Sequence, residues 1–335
     1  LASPALVAGF YYKTFMWPAA FWEKLYEPLI RRAAGLGRAA GAEDPDHYDK
    51  AHAFCDVLVI GAGPAGLSAA LAAGRSGARV ILCDEDFVPG GRLLAERRAI
   101  GGRPAEDWRA ATLAELASLP EVRIMPRTGV FGVYDHGVYG AIERIGDHLP
   151  VPGAHQPRQR AWSICAKQAI LAAGALERPV VFAGNDLPGV MLAGSVRTYL
   201  NRYAVAPGKE AVLFTAGDDG WRTAADLAAA GCHVAAIVDA RDAIDPGLAA
   251  RAGALGARLF AGGAVISAAG RQALAAVTIR DASGAMTTLP CDLLAVSNGW
   301  NPTLHLTSHQ NGRPVWHDSI QAFVPGALPP GLSVA

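Results

Sequence analysis

Blocks of hydrophobic residues between positions 55 and 86 predict a strand, a helix and a second strand. Residues 56–60 (DVLVI) are short, apolar and rich in β-branched side chains, as a buried parallel strand requires. Residues 65–73 continue as a helix, and residues 79–83 (RVILC) form the next strand. This order predicts the beginning of a doubly wound α/β fold.

The rest of the chain carries further elements of the same kinds. The pattern predicts an N-terminal helix at about Ala19–Arg32, a polar linker at 41–52, a helix at 105–119 and a third parallel strand at Val122–Met125. Three strand-like runs at 131–171 are predicted to form an antiparallel meander. A second strand–helix–strand unit from Ala211 onwards, a hairpin at 273–289 and a final buried strand at Cys291–Val296 follow.

This order predicts an α/β chain with two Rossmann-like dinucleotide-binding folds, the second inserted in the first. The predicted segments are an aromatic N-terminal extension with its linker (1–54) and a first dinucleotide-binding domain (55–190). The inserted domain (191–290) and a truncated return to the first domain (291–335) follow.

Eight aromatic residues fall between positions 10 and 26: Phe10, Tyr11, Tyr12, Phe15, Trp17, Phe21, Trp22 and Tyr26. Two interpretations stay open. The segment covers an edge of the main domain, or it forms a subunit interface in which large aromatic side chains supply much of the contact energy.

The first strand is followed by a G-x-G-x-x-G turn, Gly61, Gly63 and Gly66, with Pro64 and Ala65 at the start of the helix. Gly61 allows the tight turn, Gly63 allows the backbone to approach a pyrophosphate, and Gly66 allows close packing of helix and strand. The free N–H groups of the helix N-terminus favour the negative diphosphate. The strand before it and the helix after it make this motif a predicted dinucleotide site.

Three acidic residues end the second strand: Asp84, Glu85 and Asp86. A carboxylate at this distance from the glycine turn accepts hydrogen bonds from the adenosine ribose, and Asp84 is the predicted acceptor. A 2′-phosphate would meet three like charges, so the sequence favours NAD over its 2′-phosphorylated form.

Other candidate cofactor-binding residues follow strand ends. Gly90 and Gly91 form a second close-approach turn, and Arg92 is either a partner for pyrophosphate or ribose or a solvated side chain among several arginines. The backbone at Val130 is expected near the adenine edge. Ala173 and Gly174 end the strand that returns to the sheet, where ligands of doubly wound folds bind.

The turn of the second strand–helix–strand unit is altered. It reads Thr215-Ala216-Gly217-Asp218-Asp219-Gly220, so threonine replaces the first glycine and two carboxylates stand where a pyrophosphate needs bare amides. Like charges there oppose binding. The sequence predicts a fold that is kept without its nucleotide site.

Composition excludes several classes. Thirty basic and thirty acidic residues cancel, which gives no electrostatic case for nucleic acid or an anionic membrane. Neither a spanning apolar run nor a signal peptide is visible. The five scattered cysteines predict no disulfide scaffold, zinc site or redox dithiol, and indicate a reducing, cytoplasmic setting. No spacing supports a metal site or a catalytic triad, so no catalytic residue is predicted.

Four segments of the chain resemble the α subunits of heterotetrameric sarcosine oxidases. They are residues 9–37, 55–94, 175–194 (ALERPVVFAGNDLPGVMLAG) and 297–309 (SNGWNPTLHLTSH). The overall order of domains also resembles glutathione and thioredoxin reductases, although the absent cysteine pair argues against disulfide reduction. Opine oxidase subunits share the core but fit the aromatic segment less well.

The resemblance implies a set of cofactors and partners. It implies NAD in the first fold, contacted by Ala65, Asp84, Glu85, Arg92 and Val130, with FMN at the α/β interface and FAD in a β subunit. It also implies γ and δ subunits, and oxidation of sarcosine to glycine, formaldehyde or methylenetetrahydrofolate, and hydrogen peroxide. The family's ferredoxin-like N-terminal domain and its tetrahydrofolate-binding C-terminal domain are absent from this sequence, which is expected to be part of a longer polypeptide and inactive alone.

Two rival hypotheses remain at the level of the sequence. One is a self-contained flavin oxidoreductase, or an opine oxidase-like subunit, with FAD in the first fold and NAD(P)H in the second. The other is a scaffold whose first fold binds no nucleotide.

Overall fold

The computed structural model describes residues 17–35, 37 and 41–335, which divide into two compact units, 1–46 and 47–335. The strands, in chain order, are β1 (Tyr48–Ile60), β2 (Val80–Cys83), β3 (Ala99–Ile100), β4 (Arg103–Pro104), β5 (Val122–Met125), β6 (Thr128–Tyr134), β7 (Val138–Arg144), β8 (Gln159–Leu171), β9 (Ala175–Glu177), β10 (Val190–Leu192), β11 (Glu210–Thr215), β12 (His233–Asp239), β13 (Arg258–Ala261), β14 (Ala264–Gly270), β15 (Leu274–Arg280), β16 (Met286–Pro290), β17 (Leu293–Ser297), β18 (Trp300–Pro302), β19 (Val315–His317), β20 (Ala322–Val324) and β21 (Leu332–Val334).

Six α-helices accompany these strands within the described residues. They are α1 (Glu27–Ala33), α2 (Pro64–Arg75), α3 (Ala105–Ser118), α4 (Ala193–Arg197), α5 (Asp218–Ala229) and α6 (Pro246–Ala254). Shorter helical turns lie at Trp22–Tyr26, Gly91–Leu94, Asp135–Gly137, Thr198–Arg202 and His305–Ser308.

The first unit contains the predicted N-terminal helix. Its helical part runs from the turn Trp22–Tyr26 into α1, so it begins later than predicted and Pro18 lies before it. Trp17 is 83% exposed and Phe21 is 47% exposed. The aromatic residues at positions 10–15 lie outside the described residues, and both interpretations of this segment stay predictions.

The first sheet has the order β5-β2-β1-β8-β7-β6. Strands β5, β2, β1 and β8 are parallel, and β6, β7 and β8 form the predicted antiparallel meander. Strand β8 is long enough to belong to the meander and to the parallel part of the sheet. Its residues Gln159–Cys165 pair antiparallel with β7, and Ala169–Leu171 pair parallel with β21. The meander is thus a continuation of the parallel part of the first sheet.

Strand β1 is also longer than the predicted residues 56–60. It begins at Tyr48 and pairs with β8 from Tyr48↔Gln159 to Ile60↔Leu171. The prediction of a linker over 41–52 was therefore wrong for its last part. Polar side chains such as His52 suggested a linker, but they are compatible with a strand, because that part of the strand is only half-buried.

The second sheet is parallel, with the order β10-β17-β11-β12-β13. Helices α4, α5 and α6 cover one face, and the three antiparallel strands β14, β15 and β16 cover the other. Because β17 pairs with β10 and β11, residues 293–297 belong to this sheet. This corrects the predicted return to the first domain at residue 291, since the strand that rejoins the first sheet is β21.

Apolar contacts on both faces hold the first sheet. Leu67 and Ala70 of α2 and Leu116 of α3 pack on Val59 and Leu82, all fully buried. The inserted sheet and the return strand confirm the predicted architecture of two Rossmann-like folds, one within the other.

Candidate functional site

The first glycine turn joins β1 to α2, and its three glycines meet different surroundings. Gly61 has a φ of +101°, and a Cβ there would lie 2.4 Å from the Ala172 carbonyl oxygen. A Cβ on Gly66 would lie 1.8 Å from the Gly61 carbonyl oxygen, whereas one on Gly63 would meet nothing within 4 Å. Gly61 and Gly66 are thus fixed by packing, and Gly63 faces open space.

Helix α2 begins at this turn without a side-chain cap. Gly63 is its N-cap residue, and Pro64 follows at the first helical position, where the missing N–H costs nothing. The amides of Ala65 and Gly66 lie in the first turn and have no helical carbonyl to bind. They form an electropositive end beside the open side of Gly63.

Asp84 ties this turn to the end of β2. Its carboxylate accepts hydrogen bonds from the amides of Ala62, at 2.5 Å, and Asp86, at 2.8 Å. Burial raises the pKa of Asp84, and the two backbone hydrogen bonds oppose that effect. The side chain predicted to hold a ribose therefore also supports the turn, a role that the sequence analysis missed.

The other two acidic residues differ in their partners. Asp86 accepts two hydrogen bonds from the guanidinium of Arg202, at 2.6 and 2.8 Å, and this interaction lowers the pKa of Asp86. Glu85 is exposed, and its carboxylate has no partner in the part of the chain that the structure describes. Glu85 is therefore the carboxylate beside the turn with the most freedom to bind a ligand.

Gly90 and Gly91 form the predicted close approach. A Cβ on Gly91 would lie 2.9 Å from the Cα of Gly63, so this second glycine turn backs onto the first. Arg92 follows, and its guanidinium pairs with Asp219 at 3.1 Å and with Glu96, while lying 4.0 Å from the ring centre of Trp300. Asp219 and Trp300 come from distant parts of the sequence, and no motif signalled them.

The remaining candidates lie at the same edge of the sheet. Thr128, the first residue of β6, donates its amide to the Asp84 carbonyl at 2.7 Å, and Val130 follows two positions later, half-buried opposite Ala141. A Cβ on Gly61 would lie 3.2 Å from the Cα of Ala173. Gly174 comes next, with a φ of +66°. The fold thus brings these predicted positions towards the glycine turn.

The second glycine turn, between β11 and α5, is filled by side chains. Thr215 donates its hydroxyl proton to the Gly217 carbonyl at 2.7 Å, and a Cβ on Gly220 would lie 2.5 Å from the Thr215 Oγ1. Asp218 and Asp219 occupy the first turn of α5, as predicted. Asp218 pairs with Arg241 at 2.8 Å.

A buried arginine side chain holds the carboxylate of Asp219. It pairs with Arg197 at 2.6 Å, and the Arg197 side chain is only 2% exposed. Burial alone would raise the pKa of Asp219, but the charges of Arg197 and Arg92 outweigh it and lower that pKa. The carboxylate stays ionised and occupies the helix N-terminus where a phosphate would carry its charge.

Asp239 is the counterpart of Asp84 at the end of β12, and its carboxylate is fully engaged. It accepts hydrogen bonds from Trp221 Nε1 at 2.9 Å and from Arg241 at 2.7 and 3.0 Å. The second fold therefore has two carboxylates at its helix N-terminus and lacks the available acid that the first fold retains.

The cysteines and histidines show no reactive arrangement in the described residues. All five cysteines are free, and burial raises the pKa of Cys55 to about 11 and those of Cys83 and Cys291 to about 12, so these thiols stay protonated at neutral pH. His309 Nδ1 accepts a hydrogen bond from the Val133 amide at 3.3 Å. Across residues 17–35, 37 and 41–335, no three His, Cys, Asp or Glu side chains come together as a metal site.

One further feature concerns membranes. In the portion of the chain with described coordinates, every helix is too short or too polar to cross a bilayer.

This chain is similar to a known protein family and to solved structures. The profile of the pyridine nucleotide-disulphide oxidoreductase family matches residues 55–322. Among solved structures, thioredoxin reductase from T. acidophilum has a TM-score of 0.64 at 17% identity, covering 84% of this chain and 89% of that one. L-proline dehydrogenase from P. horikoshii has a TM-score of 0.63 at 19% identity, covering 89% and 53%. These structures share the fold.

Curated relatives are similar at the level of sequence. The alpha subunit of sarcosine oxidase from Rhizobium meliloti (strain 1021) is 51% identical over 336 residues, 100% of this chain and 33% of that protein. The protein of the same name from Corynebacterium sp. (strain P-1) is 45% identical over 88% of this chain and 31% of its own length. An opine oxidase subunit from Agrobacterium tumefaciens (strain Ach5) is 34% identical over 56% and 37%. The chain spans about a third of the length of these relatives. The predicted resemblance to sarcosine oxidase α subunits is confirmed.

Proposed function

Because this chain belongs to the pyridine nucleotide-disulphide oxidoreductase family, which implies a dinucleotide cofactor, we propose that its first fold binds NAD. The observation that carries this proposal is the open side of Gly63 next to the uncapped N-terminus of α2. A diphosphate there meets bare amides and the positive end of a helix, and no side chain stands in its way.

Each predicted residue has a role in this proposal. Gly61, Gly63, Pro64, Ala65 and Gly66 form the diphosphate cradle. Asp84 holds that cradle in shape, and Glu85 accepts hydrogen bonds from the adenosine ribose hydroxyls because its carboxylate is free.

The residues around this core complete the proposed site. Gly91 supports the turn from behind, and Asp86 is neutralised by Arg202. Val130 borders the adenine, while Ala173 and Gly174 line the end of the sheet. Arg92 acts mainly by holding Asp219, which differs from the direct contact that the sequence suggested.

We assign no nucleotide to the second fold. Two observations support this assignment: Asp219 lies in the first turn of α5, and Asp239 is saturated by Trp221 and Arg241. A dinucleotide would have to displace a carboxylate from the buried Arg197 before its own phosphates could bind.

The wider proposal follows from the relatives named as alpha subunits of sarcosine oxidase. We propose that this chain is the NAD-binding portion of such a subunit in a larger oxidase with β, γ and δ partners. NAD supplies a nicotinamide ring that exchanges hydride when it is bound. In this proposal sarcosine is oxidised at FAD in the β subunit, FMN lies at the α/β interface, and tetrahydrofolate binds a domain beyond this sequence. This chain contributes cofactor binding and no catalytic side chain.

The test uses the second position of both glycine turns. We expect Gly63→Ala to leave the melting temperature of the native protein freed of NAD unchanged, since its Cβ meets nothing. It should weaken NAD binding by about tenfold or more, because the diphosphate needs that space. Gly217→Ala is the matched control, since a Cβ there also meets nothing within 4 Å. Titration calorimetry with NAD and thermal melting measure both effects.

Three outcomes would contradict the proposal. Equal effects of the two substitutions would remove the assignment to the first turn. FAD released from the denatured protein and identified by mass would replace NAD in that turn. Absence of any NAD binding by the native protein would favour a scaffold.

A further inference from the structure

A cavity of about 460 Å³ lies next to the second glycine turn, and no residue of the first turn lines it. Its walls come from residues 96–98, from Arg197 of α4, from one face of α5 and from the C-terminal end of α6. None of its lining residues belongs to the proposed NAD site.

Positive charge dominates this cavity. Five arginines line it, against the two carboxylates of Glu96 and Asp226; the arginines are Arg97, Arg98, Arg197, Arg222 and Arg251. Glu96 is already paired with Arg92 and Arg98, and Asp226 accepts a hydrogen bond from the Asn201 amide at 2.8 Å. The acids inside the cavity therefore leave a surplus of cations.

Arg97 and Arg251 carry most of this surplus. Both are exposed, and neither has an ion pair or a side-chain hydrogen bond within the described residues. They come from two different elements, the segment after the turn Gly91–Leu94 and the helix α6. Two planar guanidinium groups that border one cavity suit an anion with several oxygen atoms.

Arg197 adds a second, independent observation. Its side chain is 2% exposed, and its Nη2 binds Asp219 at 2.6 Å. Its Nε is buried and has no hydrogen-bond partner. A buried N–H donor without an acceptor is unfavourable, so the wall at Arg197 holds positive charge that its neighbours do not fully satisfy and that favours a negative occupant.

We propose that this cavity binds a small organic anion with two or more phosphate or carboxylate groups. Arg97 and Arg251 bind the charged groups, and Arg197 forms a further part of the wall. Trp221, Ala225 and Leu255 provide apolar wall for the carbon skeleton. Two charged groups allow each of the two free arginines to form its own bidentate pair.

The test titrates two probes, inorganic pyrophosphate and citrate, into the full-length protein in its native assembly at constant ionic strength. We expect one of them to bind at a single site, and the tighter probe identifies the group recognised. The double variant Arg97→Ala/Arg251→Ala should weaken that binding by about tenfold or more, because both bidentate partners are lost. Calorimetry gives the affinities, and melting curves check that the variant is folded.

The control variant Arg271→Ala/Arg280→Ala removes the same charge from exposed positions around β15 that do not line the cavity. It should change the affinity by no more than about twofold, since exposed charges are screened at ordinary salt. Equal weakening by both double variants would overturn the site, because the effect would then be one of net charge. Failure of both probes to bind at about 1 mM would also overturn it.

Discussion

At the scale of single residues, the three glycines of the first turn are required for different reasons. Gly61 and Gly66 are kept small by backbone carbonyl oxygens, which would lie 2.4 and 1.8 Å from a Cβ at these positions, with or without a ligand. Gly63 has no such neighbour. Two of these glycines therefore serve the fold, and one is left for binding.

Gly66→Ala tests the structural role. Its Cβ would collide with the Gly61 carbonyl, which is backbone and cannot rotate away, so we expect a loss of about 3 kcal/mol in the free energy of unfolding. Chemical denaturation measures this change.

Gly253→Ala is the matched control for that substitution. Gly253 lies in α6, and its Cβ would meet nothing within 4 Å. Alanine in a helix interior should raise stability by about 0.4–1 kcal/mol. A similar loss at both positions would mean that the collision at Gly66 is not the cause.

At the scale of elements, the first turn of α5 carries its own negative charge. Asp218 and Asp219 place negative charge at the helix N-terminus, which stabilises the helix as a bound phosphate would. Arg197 and Arg92 neutralise Asp219 from the other side. The negative charge at the N-terminus of α5 is therefore balanced by protein side chains.

Asp219→Ala tests this balance. It would leave Arg197 buried without its strongest partner, so we expect a loss of about 3–5 kcal/mol of stability at neutral pH. Because the folded pKa of Asp219 is lowered, its contribution is complete above its unfolded pKa of 3.8. The difference between wild type and variant should therefore shrink as the pH falls below 3.8 towards the folded pKa.

Arg222→Ala provides the comparison, since Arg222 reaches the same carboxylate at 3.5 Å from an exposed position. Removing it should cost no more than about 1 kcal/mol. Denaturation of both variants across the acid range would show whether burial of Arg197 decides the difference; equal losses would argue against it.

At the scale of the whole molecule, a group of polar contacts joins the two nucleotide folds. Asp86 of the first fold binds Arg202, the Ala95 carbonyl accepts from Asn201 at 2.9 Å, Glu96 pairs with Arg197 at 3.5 Å, and Arg92 reaches Asp219. These contacts link residues 86–96 with the segment that leads into the second fold or with its first long helix. The glycine turn of the first fold is thus braced by the second fold, whose helix N-terminus carries its own carboxylates.

Unfolding of residues 47–335 should therefore be a single cooperative transition. Calorimetry of the native protein would show equal calorimetric and van't Hoff enthalpies for this part. The double variant Arg92→Ala/Arg202→Ala should separate it into two transitions, because the links from Arg92 to Asp219 and from Arg202 to Asp86 are removed. Two transitions already in the wild type, or one in the variant, would contradict this coupling.

Local patterns in the sequence were sufficient for the elements and for the first glycine turn. The runs at Val122–Met125 and 105–119 match their strand and helix closely, because burial on one or two faces imposes a regular spacing of apolar residues. The two carboxylates of the second turn were also visible in the sequence, since Asp218 and Asp219 stand within the motif itself, and the absence of a nucleotide there stays a prediction. The polar first half of β1 was missed, because its pairing with β8 depends on a strand about a hundred residues away.

Only the tertiary structure decided how charged residues are shared. Asp84, Glu85 and Asp86 look equivalent in the sequence, yet one holds the turn, one stays free and one pairs with Arg202. Arg92 likewise turns to Asp219, a partner 127 positions away. Such pairings depend on which distant parts of the backbone the fold brings together. They cannot be predicted from the sequence, because ion pairs follow no periodic pattern along the chain.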